Sequence, residues 1–181
     1  MGLVIAVSGL PAAGKGEFAT ILSNKSIPVV SMGDVVRAEV KRRGIPEEPS
    51  IFGQVATEMR AEFGDDIIAQ RLVQTVDGLL ENNPMVLIEG LRGTAEREVF
   101  SNHWGTNFLI VAITASLELR FKRVQSRGRT EDGTLDDLLV RDEREKGWGL
   151  EEIISDADKI FPNEANLETL EELVLEWLTN L

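Results

Sequence analysis

The run Gly9-Leu10-Pro11-Ala12-Ala13-Gly14-Lys15-Gly16 fits the spacing G-x-x-x-x-G-K, with the apolar stretch Leu3–Ser8 before it and a helical pattern from Glu17 after it. Strand, glycine-rich turn and helix in that order can hold a polyphosphate. Glycines let the backbone turn tightly and aim successive N–H groups at one point. The helix start adds the positive end of its dipole. Lys15 supplies a point charge for the outer phosphates, while Gly16 stands where a Ser or Thr hydroxyl would bind Mg²⁺. Glu17 is less welcome there. A carboxylate ~4 Å from a phosphate costs on the order of 4 kcal/mol at an effective dielectric of ~20. Glu17 therefore points away, holds a metal-bound water, or complements the helix dipole, the last being the simplest.

A second group of cations lies further along. Arg120, Lys122, Arg123, Arg127 and Arg129 fall within 120–129 without an acid, in a chain of 19 basic and 31 acidic residues and net charge −12. A local basic cluster in an acidic chain points to a small anionic ligand, although a solvated helix face would show the same run. The overall charge disfavours nucleic acid as a partner.

The elements that must position these residues follow from the apolar pattern. Leu3–Ser8, Ile27–Val30, Met85–Ile88 and Phe108–Ile113 are continuous Val- and Ile-rich runs, with a weaker one at Lys159–Phe161. Such runs are strands covered on both faces, as in a parallel sheet. Helical patterns lie between them at 33–43, 50–63, 65–81 and 116–126. A last helix sets Leu167, Leu170, Val174 and Leu178 on one face, with Trp177 in its packing. His103 and Trp104 are expected to follow a helix and to be structural. Alternating strands and helices predict a doubly wound α/β fold, whose ligands sit at the carboxyl ends of the strands.

Composition excludes other classes. The chain has 181 residues, 43% hydrophobic and 28% charged, enough for one domain with a real core. With no cysteine and one histidine, disulfides and thiolate or histidine-rich metal centres are ruled out, and a reducing cytoplasm is the natural setting. No apolar run approaches the ~18–20 residues that span a bilayer, and the first residues read as a strand rather than a signal peptide, so no membrane partner is expected. Nothing in the pattern speaks to oligomeric state.

The loop ending Gly14-Lys15-Gly16, with Pro11 inside it, resembles that of adenylate kinases. Ser31-Met32-Gly33-Asp34-Val35-Val36-Arg37 is similar to that family's Ser-Thr-Gly-Asp-x-x-Arg, and Ile88-Glu89-Gly90-Leu91-Arg92 to its Asp-Gly-Phe-Pro-Arg, without the proline. Ala157-Asp158-Lys159-Ile160-Phe161-Pro162-Asn163 is similar to a segment of dephospho-coenzyme-A kinases. The whole pattern most resembles an archaeal adenylate-kinase-related, dephospho-coenzyme-A-kinase-like P-loop family. The resemblance implies a three-layer P-loop NTPase fold on a five-stranded parallel sheet, nucleotide-kinase-like, as a single domain with an acceptor-binding insertion at about 33–82 and a short lid at about 128–148. It implies ATP and Mg²⁺ as cofactors. Gly9 through Glu17, Arg123 and Asn163 would take the nucleotide, Arg123 by stacking on the adenine and Asn163 at the base edge. Asp34 and Glu89 would hold the metal through water. Arg37, Arg92 and Asp34 would take the acceptor. Lys15, Arg127, Arg129 and Arg141 would act on the transferring group, the arginines closing over it as a lid.

Two arginines on one acceptor suit a phosphate, which guanidinium groups fork bidentately and which attacks without a base. The expected activity is γ-phosphoryl transfer to a phosphate-bearing small acceptor, with a nucleoside monophosphate first. A hydroxyl acceptor with Asp34 as base and a nucleotide-binding switch or slow ATPase stay open beside it. Arg120, Lys122 and Arg144 are expected on solvated helix faces.

Overall fold

The computed structural model describes residues 2–46, 49–127 and 134–181, with the backbone alone for residues 49, 50 and 127. The apolar runs become β1 (Leu3–Ser8), β2 (Val29–Ser31), β3 (Met85–Leu91), β4 (Phe108–Thr114) and β5 (Lys159–Pro162). They pair in parallel in the order β2-β3-β1-β4-β5, the α/β sheet that the sequence predicts.

Both faces of the sheet are covered, which is why its strands lack the alternation of a half-exposed sheet. Val4 and Ala6 of β1, with Val86 and Ile88 of β3, face one layer. That layer comprises α2 (Met32–Arg43), α3 (Pro49–Phe63), α4 (Ile67–Leu80), α5 (Thr94–Trp104) and α8 (Leu150–Ser155). Ile5 and Val7, with Leu87, Val111 and Ile113, face α1 (Lys15–Asn24) and α9 (Leu167–Thr179). Two further helices, α6 (Leu117–Arg127) and α7 (Leu135–Lys146), lie over the carboxyl ends of the strands' loops.

Several boundaries differ from expectation for identifiable reasons. The second strand begins at Val29, because Pro28 has no N–H to donate. Its carbonyl still accepts from Leu87 N at 2.9 Å. The third strand runs three residues further than its apolar run, because Glu89 continues the ladder opposite Val7 and Ser31. A register shift then follows at Gly90, whose φ of +97° is the left-handed region. His103 and Trp104 close α5 rather than follow it. Trp104 is buried, stacks on Phe100 at 5.3 Å and donates to Asp77 at 2.9 Å, the structural place expected of it, while His103 is exposed and meets the same Asp77 at 2.8 Å. Leu167, expected on the buried face of the last helix, is 55% exposed at its first turn.

The helices α2, α3 and α4 are knotted by a buried acid. Glu39 accepts from Arg42 at 2.6 Å and Arg43 at 2.7 Å on its own helix and from Arg71 of α4 at 3.1 Å. Arg43 reaches on to Glu58 of α3 at 2.7 Å. The guanidinium groups, Arg42 first, hold the Glu39 carboxyl well below the usual carboxylate range.

On the other face Phe18 of α1 meets Phe161 at 5.9 Å and Trp177 at 6.4 Å between ring centroids, with no exposure. Phe18→Ala leaves a cavity directly behind the helix that follows the glycine-rich turn, and is expected to cost about 3–5 kcal/mol, read from the urea midpoint at constant slope.

Candidate functional site

The first strand is central in the sheet, so the turn behind it opens between the ends of β3 and β4. Two glycines are sterically required in that turn. Gly9 has φ +148°, and a Cβ there would lie 2.3 Å from the Ile113 carbonyl oxygen. Gly14 has φ +120°, and a Cβ there would lie 2.2 Å from Asn163 Nδ2. Between them Ala12 adopts φ +61°, left-handed in a residue with a side chain, a strain of about 1–2 kcal/mol that the surroundings must hold.

What holds it is a set of donors beneath the loop. Arg120 Nη1 donates to the Pro11 carbonyl at 3.1 Å. Arg123 Nη1 donates to that of Ala13 at 3.0 Å, and its Nη2 to that of Asn163 at 2.8 Å. Asn163, itself buried, donates its side-chain amide to the Ala13 carbonyl at 2.9 Å. Asn163 and Arg123 thus hold the loop from below, and the third brace departs from expectation. Arg120, expected on a solvated face, is buried and grips Asp142 of α7 bidentately at 2.9 and 2.7 Å.

Lys15 opens α1, whose first amides have no partner within the helix. Its ammonium folds back onto the carbonyls of Gly9 and Leu10. Burial lowers its pKa to about 8; Glu145 and Glu89 oppose the shift, while Arg92 and Arg141 add to it. Gly16 and Glu17, in the first turn, also border the cleft in front of the loop.

That cleft measures about 1430 Å³. Drug-sized sites are typically ~300–1,000 Å³, so there is room for more than one small ligand. Across from the loop it is lined by Arg37, Glu89, Arg92, Arg141, Arg144 and Glu145. Arg37, Glu89, Arg92 and Arg141, all singled out in the sequence, thus line one cleft with the loop. The structure adds Arg144, which the sequence put on a solvated face, and Glu145. Burial lowers the Arg144 pKa from its ordinary value.

Asp34 is not among the described residues that line the cleft. It is exposed and pairs with Arg37, three residues along the same helix. Residues 128–133, and so Arg129, lie outside the described residues, as does the Arg127 side chain. Among the described residues no group of three His, Asp or Glu side chains is placed to hold a metal directly, and no helix is long and apolar enough to cross a membrane.

The turn carrying Arg92 is fixed from below. Glu96 is fully buried, accepts from the backbone amides of Arg92 at 3.2 Å and Gly93 at 2.9 Å, and pairs with Arg60 of α3 at 2.6 Å. The Arg60 guanidinium lies 4.3 Å from the centroid of the Trp148 ring. The Trp148 carbonyl accepts from Thr94 N at 3.0 Å. Gly149 follows at φ +95°, where a Cβ would lie 2.5 Å from Thr94. These contacts bind α3, the end of β3 and the end of α7 into one wall. Its members are far apart in the chain, so no local pattern announced them.

The Lys15 shift has a pH consequence. Folding lowers its pKa below the unfolded value of about 10.5, so burial of the charged form opposes folding below pH ~8, and that penalty fades as pH rises from ~8 to ~10.5. Lys15→Met removes the penalty. Its melting temperature is expected to exceed that of the parent at pH 7, the gap closing towards pH 10.

Comparisons with known proteins agree with this geometry. A family model described as an AAA domain matches residues 8–138. A UPF0200 protein of Methanosarcina barkeri is 40% identical over 178 residues, covering 98% of this chain and 95% of the relative. An unliganded sugar kinase from Janibacter aligns over 99% of this chain and 95% of its own, with TM-score 0.66 and 16% identity. A dephospho-CoA kinase from Campylobacter jejuni aligns over 99% and 96%, with TM-score 0.63 and 14% identity. At those identities the two structures speak for the fold alone, which is that of small P-loop kinases. The chain belongs to the UPF0200 family, whose AAA-domain signature begins at Ser8 and takes in the loop built on Gly9, Gly14 and Lys15.

Proposed function

We propose that the chain transfers the γ-phosphoryl group of ATP, taken with Mg²⁺, to a small acceptor that itself carries a phosphate, a nucleoside monophosphate being the simplest. One observation carries the reading: a single cleft sets the Lys15 loop opposite Arg37, Arg92, Arg141 and Arg144. Four guanidinium groups gather there in a chain of net charge −12, beside acids such as Glu17, Glu89 and Glu145 in the same lining, which suits an anion that brings its own cation.

The residues present fit a nucleotide's phosphates. Gly9 and Gly14 keep the loop free of side chains where a Cβ could not be placed, the helix dipole points to the space in front, and Lys15 would swing from the Gly9 and Leu10 carbonyls to the phosphates. Arg123 and Asn163 brace the loop and lie on the side where the donor base would rest. Glu89 is the acid in reach of a metal's water shell; without a hydroxyl at Gly16 the metal would enter with the nucleotide. Bound Mg²⁺ neutralises charge on the β- and γ-phosphates as the group moves. Arg37 and Arg92 would hold the acceptor phosphate, with Asp34 keeping Arg37 in place until the acceptor arrives. Arg141, with Arg127 and Arg129 from the lid, would close over the transferring group and exclude water. Asp34, turned to Arg37 on the exposed start of α2, lends no support to a role as base.

A coupled assay with ATP, Mg²⁺ and each nucleoside monophosphate tests the reading. Turnover is expected with at least one of them and none with Lys15→Met, whose circular dichroism stays native. Arg37→Ala is expected to raise the acceptor KM about 10–100-fold with a smaller change in kcat, from charge-assisted hydrogen bonds worth roughly 1.5–3 kcal/mol. Full activity in Lys15→Met would remove the loop from the mechanism.

A further inference from the structure

Glu145 is a buried acid that the proposed phosphate chemistry leaves without a role. Its side chain is 2% exposed, it borders the cleft from α7, and its Oε2 has no hydrogen-bond partner. Arg92 faces it, with Nε 3.6 Å from Oε1, and that Nε is itself buried without a hydrogen-bond partner. Lys15 lies close enough to feel the charge of the acid, but its hydrogen bonds go to the carbonyls of Gly9 and Leu10. Buried donors and acceptors are almost always satisfied, by protein, by water or by a ligand, so this pair at the cleft wall marks a seat for a group that can meet both atoms.

The pair selects the chemistry of that group. A carboxylate oxygen only accepts, and a guanidinium N–H only donates. A phosphate oxygen on Nε would set a second anion against Oε2, so the acceptor phosphate would meet Arg92 at its outer nitrogens instead. An amine or amide N–H would satisfy Oε2 and leave Nε bare. A metal ion on Oε2 would face the charges of Lys15, Arg92 and Arg144. A hydroxyl, that of water or of a ligand that displaces it, satisfies both, donating to Oε2 and accepting from Nε.

We infer that Glu145 and Arg92 seat a hydroxyl group of the acceptor, and that this oxygen, not the acceptor's phosphate, attacks the donor. The inference rests on the reading that the cleft takes ATP and a phosphate-bearing acceptor, and narrows the acceptor to compounds carrying both a phosphate and a free hydroxyl. The O–H bond breaks and its proton passes to Glu145 Oε2. The oxygen bonds to the γ-phosphorus while the bond from that phosphorus to the β,γ-bridging oxygen breaks, its electron pair leaving with ADP. The products are ADP and a phosphate monoester, and Glu145 returns its proton to solvent as they depart. This makes Glu145 a catalytic residue, in the role that Asp34 is too far turned away to fill.

The test uses the full chain with ATP and Mg²⁺. The acceptors are the ribonucleoside 5′-monophosphates, their 2′,3′-dideoxy counterparts, and ribose 5-phosphate, with phosphorus NMR reading the new linkage. A monoester signal without phosphorus–phosphorus coupling is expected from at least one hydroxyl-bearing acceptor and from none of the dideoxy compounds. Glu145→Gln is expected to lower kcat about 100-fold or more, while the ATP Kd, read by Trp148 fluorescence, shifts less than about twofold. Glu145→Asp should recover part of the loss. A coupled diphosphate product, an unchanged kcat in Glu145→Gln, or ATP binding with no monoester from any acceptor would each overturn the inference while leaving the nucleotide reading standing. Failure of the parent chain to bind ATP would bring down both. Should Glu145→Gln not fold, the linkage formed by the parent chain decides alone.

Discussion

A turn whose amide hydrogens converge on an anion must send its carbonyl oxygens the other way, and those oxygens need donors. That requirement organises this molecule. The outward carbonyls of Pro11 and Ala13 are met by Arg120, Arg123 and Asn163, from α6 and from the segment after β5. The same crowding forbids a Cβ at Gly9 and Gly14, and it stabilises the left-handed Ala12. The residues that look from the sequence like ligand contacts for the donor base are therefore first of all the floor of the loop.

The opposite wall solves a different problem, which is to gather cations without letting them repel one another apart. Glu96 and Glu145 are buried among Arg60, Arg92 and Arg144, and Trp148 spreads the Arg60 charge over a ring face. Buried carboxylates here are counter-ions and backbone anchors at once, since Glu96 also fixes the amides that start α5. The α2–α4 layer repeats the device around Glu39, where the arginines are structural and none faces the cleft.

The sheet was legible because each of its strands is a local apolar run, and burial on both faces makes such runs continuous. The glycine-rich turn was legible for the same reason: its steric and electrostatic demands fall on neighbouring residues. Arg37, Glu89 and Arg92 stood out because each lies in a short motif at a strand's carboxyl end, Glu89 within the last residues of β3, Arg92 just after it and Arg37 in the helix that follows β2, and the topology brings those ends together. The burial of Arg120 and Arg144, and the support that Asn163 gives the loop, could not be read, because packing between segments up to 150 residues apart decides them. Glu145 stands beside charged neighbours in sequence and looks like any member of a solvated helix. Only the path of α7 across the cleft shows that its carboxylate is shut away from water.

Arg120 joins three pieces of the molecule with one side chain: it belongs to α6, clasps Asp142 on α7 and supports the peptide at Pro11. A tilt of α7 is thereby delivered to the underside of the loop with no slack in between. Lever and fulcrum share a single guanidinium. A substitution that moves α7 is therefore felt at the Pro11 peptide, so the two sides of the cleft are inherited as a unit rather than adjusted separately.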